Sequence, residues 1–182
     1  MNNDHLNWWI LPAVVITASA VNPAYAVQYL TVPQAQRILF PAADAFISEP
    51  VHLSEAQRKE VEDYAGIRMR AEKQPVWRAQ VNGETAGWFV LDEVYGKHEF
   101  ITYAVALDKD GGVLGVEILD YRETHGGEVR NRAWREQFTD KHYGDALELD
   151  NGIENISGAT LSCKHVTEGV RRVLGIFHAV LK

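Results

Sequence analysis

The stretch from residue 76 to residue 121 constrains the fold most, because it consists of strand-like segments joined by very short turns. Asn82-Gly83 is a dipeptide that strongly favours a type I′ hairpin turn. A second turn, rich in Asp and Gly, occupies residues 108–112. Strands joined by turns this short pair in an antiparallel sense. The sequence therefore predicts an antiparallel sheet with strands over residues 76–81, 88–94, 100–107 and 113–121.

Two helices are predicted before this sheet. The first begins at Thr31, where Gln34 completes a capping box, and we expect Ile38 and Leu39 to face inward. The second begins at the N-cap Ser54 and ends at Gly66, a residue type that commonly terminates helices.

The longest helical pattern lies at the C-terminus, over residues 160–181. Its apolar residues recur at helical spacing and form one stripe that we expect to be buried: Val166, Val170, Val173, Leu174, Phe177 and Leu181. Four charged residues lie off that stripe: Lys164, Glu168, Arg171 and Arg172. The order of helices, sheet, loop and helix predicts a single α+β domain, in which helices pack on an antiparallel sheet.

The first 26 residues have the pattern of an export signal. An apolar run over residues 8–21 precedes Ala24-Tyr25-Ala26, which supplies the small-x-small cleavage pattern, although no Lys or Arg precedes the run. The run has 14 residues, and a membrane-spanning helix needs about 20, which disfavours an uncleaved anchor. A buried helix is the third alternative. We expect a signal peptide over 1–26 and a mature domain over 27–182 in the periplasm or another extracytoplasmic compartment, with membrane association left open.

The charge and the reactive side chains exclude several classes of function. A net charge of −7 without a basic cluster disfavours a nucleic-acid partner. The histidines show no spacing that predicts a metal site, and no nucleophilic serine motif is present, so we assign neither metal ligands nor catalytic residues. Cys163 is the single cysteine and is expected to be a small packed residue on the last helix.

The most informative segment is 156–162, with the sequence Ile-Ser-Gly-Ala-Thr-Leu-Ser, just where the last helix is predicted to begin. Gly158 permits close backbone approach, and Ser157 and Thr160 place hydroxyls beside the unpaired N–H groups of the helix start. These features favour binding of an anion such as a phosphate. A plain Ser or Thr N-cap accounts for the same residues, and the residues alone leave both interpretations open.

The Ser-Gly-Ala-Thr sequence, with the acidic Glu154 three positions before Ser157, resembles the flavinylation motif of the FMN-binding domain family. This family includes the C subunit of sodium-pumping NADH:quinone reductase and the G subunit of the Rnf complex. The resemblance covers residues 75–181 and includes segments 97–103, 116–118 and 121–124. Two departures stand out: the family's acidic position is Asp, and its larger members carry Glu-Thr-Pro-Gly-Leu-Gly where this chain has Glu-Thr-His-Gly-Gly over 123–127.

This resemblance implies a covalent cofactor. In such proteins a flavin transferase takes FMN from FAD and esterifies its phosphate to the threonine that corresponds to Thr160. The carbonyl oxygens of the flavin ring are expected to contact the backbone of the Gly126-Gly127 loop, with Lys97 or a histidine near the ring. The predicted cofactor-binding residues are Thr160, Ser157, Gly158, Ala159, Ser162, His98, Glu123, Thr124, His125, Gly126 and Gly127.

Three functions follow from these features. The first is an exported electron-transfer flavoprotein that works with a redox partner protein, such as a membrane electron-transport complex. The second is a flavin-dependent reductase with its own small-molecule substrate, and the third is a non-redox periplasmic binding domain of the same fold. Whether the chain is an enzyme stays open, although a carrier or a component of a complex fits these residues better because they include no substrate-converting machinery.

Overall fold

The fold is described by a computed structural model over residues 27–182; the predicted signal peptide lies outside these residues. Six strands form one antiparallel sheet in the order β1-β6-β5-β4-β3-β2, and two further strands form a small parallel pair. The strands are β1 (Val27–Gln28), β2 (Ala45–Ser48), β3 (Val76–Val81), β4 (Glu84–Tyr95), β5 (Phe100–Asp108), β6 (Val113–Tyr121), β7 (Glu148–Leu149) and β8 (Gly152–Ile153). The four helices are α1 (Val32–Leu39), α2 (Glu55–Ala65), α3 (Arg132–Arg135) and α4 (Thr160–Ile176).

Shorter helical turns complete the described part of the chain. They are 3₁₀ turns at Gly127–Arg130 and Glu136–Phe138, and a π-helical turn at Phe177–Leu181 that extends α4. The α+β class, the antiparallel sheet and the long C-terminal helix are all confirmed.

The central hairpins follow the predicted turns. Asn82 and Gly83 both have positive φ, +52° and +81°, as a type I′ turn requires. The strand that follows is longer than predicted and begins at Glu84, directly after the turn. The short strands β1 and β2 at the two edges were not predicted, because two to four residues are too few to show a periodic pattern.

Helices cover both faces of the sheet. On one face, the predicted stripe of α4 packs against β5 through residues such as Val170, Tyr103 and Val105, all completely buried. On the other face, Ala35 of α1 packs with Ala104 and neighbouring apolar residues. Because β5 is central and covered on both sides, six of its nine residues are buried.

The inward orientation expected for Ile38 was wrong, and Arg172 shows a burial that the sequence did not predict. Ile38 is 52% exposed, because the buried side of α1 consists of Ala35 and Gln36, with Leu39 partly buried one turn later. Arg172 lies off the apolar stripe but is only 1% exposed, because it pairs with Asp92 inside the protein. Within residues 27–182, no helix has both the length and the apolar character needed to cross a membrane.

Candidate cofactor groove at the start of the last helix

The Ser-Gly-Ala-Thr segment forms a tight turn that leads directly into α4. The N–H of Ala159 donates to the carbonyl of Ile156 at 2.9 Å, which closes the turn. Gly158 sits at its third position with φ of +87°, a conformation that favours glycine. Thr160 is the first residue of the helix and is exposed.

The start of α4 has no side-chain cap. Its N-cap residue is Ala159, which has no side-chain acceptor, and the first turn contains no acidic residue. The plain Ser or Thr N-cap interpretation is therefore wrong for this helix. The first N–H groups of a helix lack intrahelical partners, so the amide N–H groups that begin at Thr160 can donate hydrogen bonds to an anion. The only hydrogen bond shown for the Thr160 hydroxyl among the described residues is a long one from the side-chain amide of Asn155, at 3.3 Å.

A groove of about 380 Å³ opens beside this helix start. Nine of the eleven predicted cofactor-binding residues line it, namely residues 98, 123–126, 158–160 and 162. Lys97 and Leu161 complete the lining. Chain segments more than 60 positions apart in the sequence thus meet at one groove. Ser157 is exposed on the turn but does not line the groove.

A second groove, of about 530 Å³, adjoins the first. The two grooves share residues 123–126 and Gly158, and Gly127 lines the second one. Tyr29, Tyr121 and Arg130 also line the second groove, together with Glu128. We call the groove beside Thr160 the helix-start groove and its neighbour the Arg130 groove.

Glu123 lines both grooves, and its carboxylate is engaged by the chain itself. Its Oε1 accepts the backbone N–H groups of Lys97, His98 at 2.5 Å and Glu99 at 3.0 Å. Partial burial raises the pKa of Glu123, but these three N–H donors outweigh that effect, so the pKa lies below its ordinary value. A side chain at Gly96 would collide with this carboxylate, since its Cβ would lie 2.5 Å from Oε1. Glu123 therefore ties the 96–99 turn to the glycine loop.

A second connection joins the glycine loop to α4. The Tyr121 hydroxyl donates to the carbonyl of His125 and also contacts the hydroxyl of Ser162. Burial raises the pKa of Tyr121, with Glu123 and Glu128 contributing in the same direction, so the phenol stays protonated at neutral pH. Ser162 is buried, and its hydroxyl is committed to Tyr121. The side chains of His98 and His125 are both exposed at the groove.

The segment before the turn is held from the other side. The indole N–H of Trp134 donates to the carbonyl of Glu154 at 2.8 Å, and the N–H of Glu154 donates to Gln137 Oε1 at 2.7 Å. Trp134 is buried and packs edge-on against Phe138, so it is a core residue. The Glu154 side chain itself is exposed. Gln137 was missed in the sequence because a glutamine 17 positions away gives no local signal.

No group of His, Cys, Asp and Glu side chains within residues 27–182 is arranged to hold a metal ion. Cys163 is fully buried, as expected, and burial raises the pKa of its thiol. The fold and the grooves together define a small α+β domain whose ligand-sized groove lies at the start of its longest helix.

Comparison with known proteins shows what the domain is similar to. Residues 96–175 match the FMN-binding domain family. The match lies inside the 75–181 region that carried the resemblance.

Three relatives share this similarity. The chain is 29% identical over 157 residues to the G subunit of the Na(+)-translocating ferredoxin:NAD(+) oxidoreductase complex of Acetobacterium woodii, covering 81% of this chain and 73% of the relative. It is 32% identical over 133 residues to the C subunit of the Na(+)-translocating NADH-quinone reductase of Yersinia pestis, covering 63% of this chain and 50% of the relative. It is 31% identical over 110 residues to the G subunit of the proton-translocating ferredoxin:NAD(+) oxidoreductase complex of Clostridium ljungdahlii, covering 56% and 59%. The chain thus spans less than two thirds of the second and third relatives.

Proposed function

We propose that this protein is an exported electron carrier that holds FMN through a phosphoester to Thr160. One observation carries the proposal: the exposed hydroxyl of Thr160 lies at an uncapped helix start, on a ligand-sized groove, in a segment that matches the FMN-binding domain family. Bound FMN would supply the capacity to accept and release electrons. The protein's contribution is to anchor and orient the FMN and to set its reduction potential.

The residues present fit such a group. A phosphodiester retains one negative charge, and the uncapped N–H groups at the start of α4 offer donors together with the positive end of the helix dipole. This effect is about 0.3–1 kcal/mol for an exposed charge. The glycines of the loop leave backbone groups accessible along the groove, and no carboxylate in the first turn of α4 opposes the phosphate. Glu154, whose backbone is fixed by Trp134 and Gln137, presents its carboxylate on the surface before the turn.

The attachment would need a flavin transferase as a partner, with FAD as the donor. The Thr160 oxygen attacks the phosphorus atom on the FMN side of the FAD pyrophosphate. A new P–O bond to Thr160 forms, the pyrophosphate P–O bond breaks, and AMP leaves. The hydroxyl proton passes to a base, and no electrons are transferred in the step. The exposure of Thr160 on the protein surface is what such an enzyme requires.

The relatives guide the choice of electron partner. Each is named as a component of a sodium- or proton-translocating oxidoreductase. We therefore propose that this chain exchanges electrons with a redox protein at a membrane, on the extracytoplasmic side. In this proposal residues 1–26 are a signal peptide and residues 27–182 are the FMN-bearing domain. The intact mass of the exported protein tests this boundary, because cleavage after Ala26 leaves a chain that begins at Val27.

Thr160→Val provides the decisive test of attachment. The protein is co-expressed with a flavin transferase, unfolded in a denaturing gel and examined for flavin fluorescence, which only a covalent flavin survives. We expect a fluorescent band for the wild type and none for Thr160→Val. Thr139→Val is the control, because Thr139 is an exposed threonine that lines neither groove and should leave the band unchanged.

Two results would overturn the proposal. One is a dark wild-type band when the same transferase labels a known substrate. The other is a Thr160→Val band as bright as the wild type. A mass difference equal to the FMN moiety, located on the peptide that contains Thr160, would support it.

A further inference from the structure

The Arg130 groove contains a cation that the fold holds in place but does not neutralise. We propose that this groove receives the flavin ring, and that Arg130 stabilises the negative charge that the ring gains on reduction. This inference rests on the proposed function, since it takes FMN to be anchored at Thr160. It assigns a potential-setting role to Arg130 and a supporting role to Tyr29, which lies outside the matched segment 96–175.

Three contacts fix Arg130. Its guanidinium carbon lies 4.3 Å from the centre of the Tyr29 ring, a cation–π geometry. Its Nε donates to the carbonyl of Gly127 at 3.0 Å. Its own carbonyl accepts a hydrogen bond from Arg135, which in turn forms two 2.9 Å hydrogen bonds with Glu117. Because these contacts hold both the backbone and the side chain of Arg130, the side chain has less freedom left to lose on binding.

The charge of Arg130 is available to a ligand. Among residues 27–182, no carboxylate lies within ion-pair distance of its guanidinium. Only its Nε donates a hydrogen bond within this part of the chain. A guanidinium carries five N–H donors in a planar fork, so the donors on its two terminal nitrogens remain for an acceptor in the groove. The guanidinium N–H groups can donate hydrogen bonds to the carbonyl oxygens of a flat ring, and their positive charge stabilises a negative charge that is delocalised over that ring.

The two grooves form a path from the anchor to this cation. They share Gly126 and Gly158, which have no side chains to divide them. A Cβ at Gly158 would meet nothing within 4 Å, so the surface above it is open. A nucleotide with its phosphate on Thr160 can therefore extend over these glycines. The ring would then lie between the Gly126-Gly127 backbone and the Tyr29–Arg130 pair.

The other side of the helix-start groove is a weaker candidate for the ring. Lys97 and His98 are exposed there, and within the described residues their side chains donate no hydrogen bond that would orient them. No Phe, Tyr or Trp side chain lines that groove. A mobile exposed cation is screened by water and contributes less than one held against an aromatic face.

Glu128 provides an internal control of opposite sign. It lines the same groove as Arg130, and its carboxylate is exposed. A negative charge near the ring disfavours reduction, whereas a positive charge favours it. Neutralising Glu128 and neutralising Arg130 should therefore move the potential in opposite directions if the ring lies in this groove.

The experiment measures the midpoint potential of FMN in the flavinylated wild type and in Arg130→Gln, Glu128→Gln and Lys97→Gln. We expect Arg130→Gln to lower the potential and Glu128→Gln to raise it. A tenfold change in the relative affinity for reduced and oxidised FMN, which is about 1.4 kcal/mol, corresponds to about 30 mV for a two-electron couple. Lys97→Gln should leave the potential unchanged. Arg130→Lys, which keeps the charge but not the planar fork, should lie between the wild type and Arg130→Gln.

Flavin fluorescence in a denaturing gel separates failure of this inference from failure of the proposed function. If every protein lacks a fluorescent band, the attachment proposal itself has failed. If the bands are equal and the folded proteins melt alike, but Arg130→Gln keeps the wild-type potential, then only the role of Arg130 is overturned. The same conclusion holds if Lys97→Gln produces the shift instead.

Discussion

The hydroxyl oxygens of Tyr121 and Ser162 lie 2.9 Å apart, although the two residues are 41 positions apart in the sequence. Tyr121 ends β6, and Ser162 lies in the first turn of α4. The same phenol donates to the carbonyl of His125, so one side chain joins the sheet, the glycine loop and the helix that begins at Thr160. The shape of the groove at Thr160 therefore depends on this contact.

Tyr121→Phe and Ser162→Ala should each reduce stability, because each removes the hydrogen bond between the two hydroxyls, and Tyr121→Phe also removes the donor to the His125 carbonyl. We expect a loss of about 0.5–1.5 kcal/mol for each variant in urea unfolding. The double variant should lose less than the sum of the two, because the second substitution removes the group that the first left unpaired. Ser157→Ala is the control, because Ser157 is an exposed serine in the turn before α4, and its stability should stay near that of the wild type. Strict additivity would contradict a direct bond.

Gly126→Ala should lower the stability of the fold by more than the cost of placing alanine at a positive φ. Gly126 has φ of +85°, and an added Cβ would lie 2.7 Å from Ser162 Oγ and 2.8 Å from the Tyr121 hydroxyl. Gly66→Ala is a matched control, since Gly66 has φ of +77° with nothing within 4 Å of an added Cβ. The control should lose about 1 kcal/mol from the unfavourable φ, and Gly126→Ala should exceed that loss. If thermal unfolding shows the same loss of stability for both variants, the Ser162 and Tyr121 side chains move away from the added Cβ at no cost in free energy.

Glu123 should make stability depend on pH in the acidic range. Its folded pKa lies below its ordinary value of 4.5, because three backbone N–H groups favour the charged carboxylate. A depressed pKa stabilises the fold above the ordinary value, and this contribution is lost as the pH falls from about 4.5 through the lower folded pKa. We expect Glu123→Gln to cost about 1–2 kcal/mol at pH 7. The difference from the wild type should shrink as the pH falls below about 4.5.

Glu99→Gln serves as the control for that measurement. Glu99 is exposed, and it contributes only its backbone N–H to Glu123, so its side chain should not affect the bond. A difference between wild type and Glu123→Gln that stays constant from pH 7 to pH 3 would show that the carboxylate charge is not what holds the 96–99 turn.

The parts of the fold that could be predicted from sequence are those with local signals. The turn at Asn82 and Gly83, the alternating strands and the α4 stripe each depend on residues within a few positions of one another. The two main segments of the candidate site could also be picked out from the sequence, because the Ser-Gly-Ala-Thr turn and the 123–127 loop each have a distinctive composition. The structure then places them on one groove.

The remaining features depend on contacts between distant positions. Glu123 lines the grooves as a predicted cofactor-binding residue, and nothing in the sequence indicated that its carboxylate also accepts backbone N–H groups 24 to 26 positions away. Arg130 lies in a sequence segment of mixed positive and negative charges, and nothing in that segment indicates its contact with the Tyr29 ring. Arg172 was placed among the charged residues off the stripe, because the pairing that permits its burial lies 80 positions away.

That buried pair gives the largest predicted effect. Arg172 donates to Asp92 Oδ2 through Nε at 2.9 Å and Nη2 at 2.7 Å, and Tyr103 donates to the same oxygen at 2.6 Å. Both partners of the ion pair are almost fully buried. Burial raises the pKa of Asp92, and Arg172 counteracts that effect, so removing the arginine leaves a carboxyl group in an apolar site. Arg172→Met should therefore cost about 3–5 kcal/mol in urea unfolding.

A second substitution shows whether the uncompensated charge is the cause. Asp92→Asn removes the charge and keeps an oxygen that can accept the Tyr103 hydroxyl, so the Asp92→Asn/Arg172→Met double variant should be more stable than Arg172→Met alone. Arg132→Met is the control, because that arginine is 86% exposed in its pair with Glu136 and should change stability by less than about 1 kcal/mol. A double variant that is less stable than Arg172→Met would mean that lost packing around the long arginine side chain, and not the orphaned carboxylate, accounts for the loss.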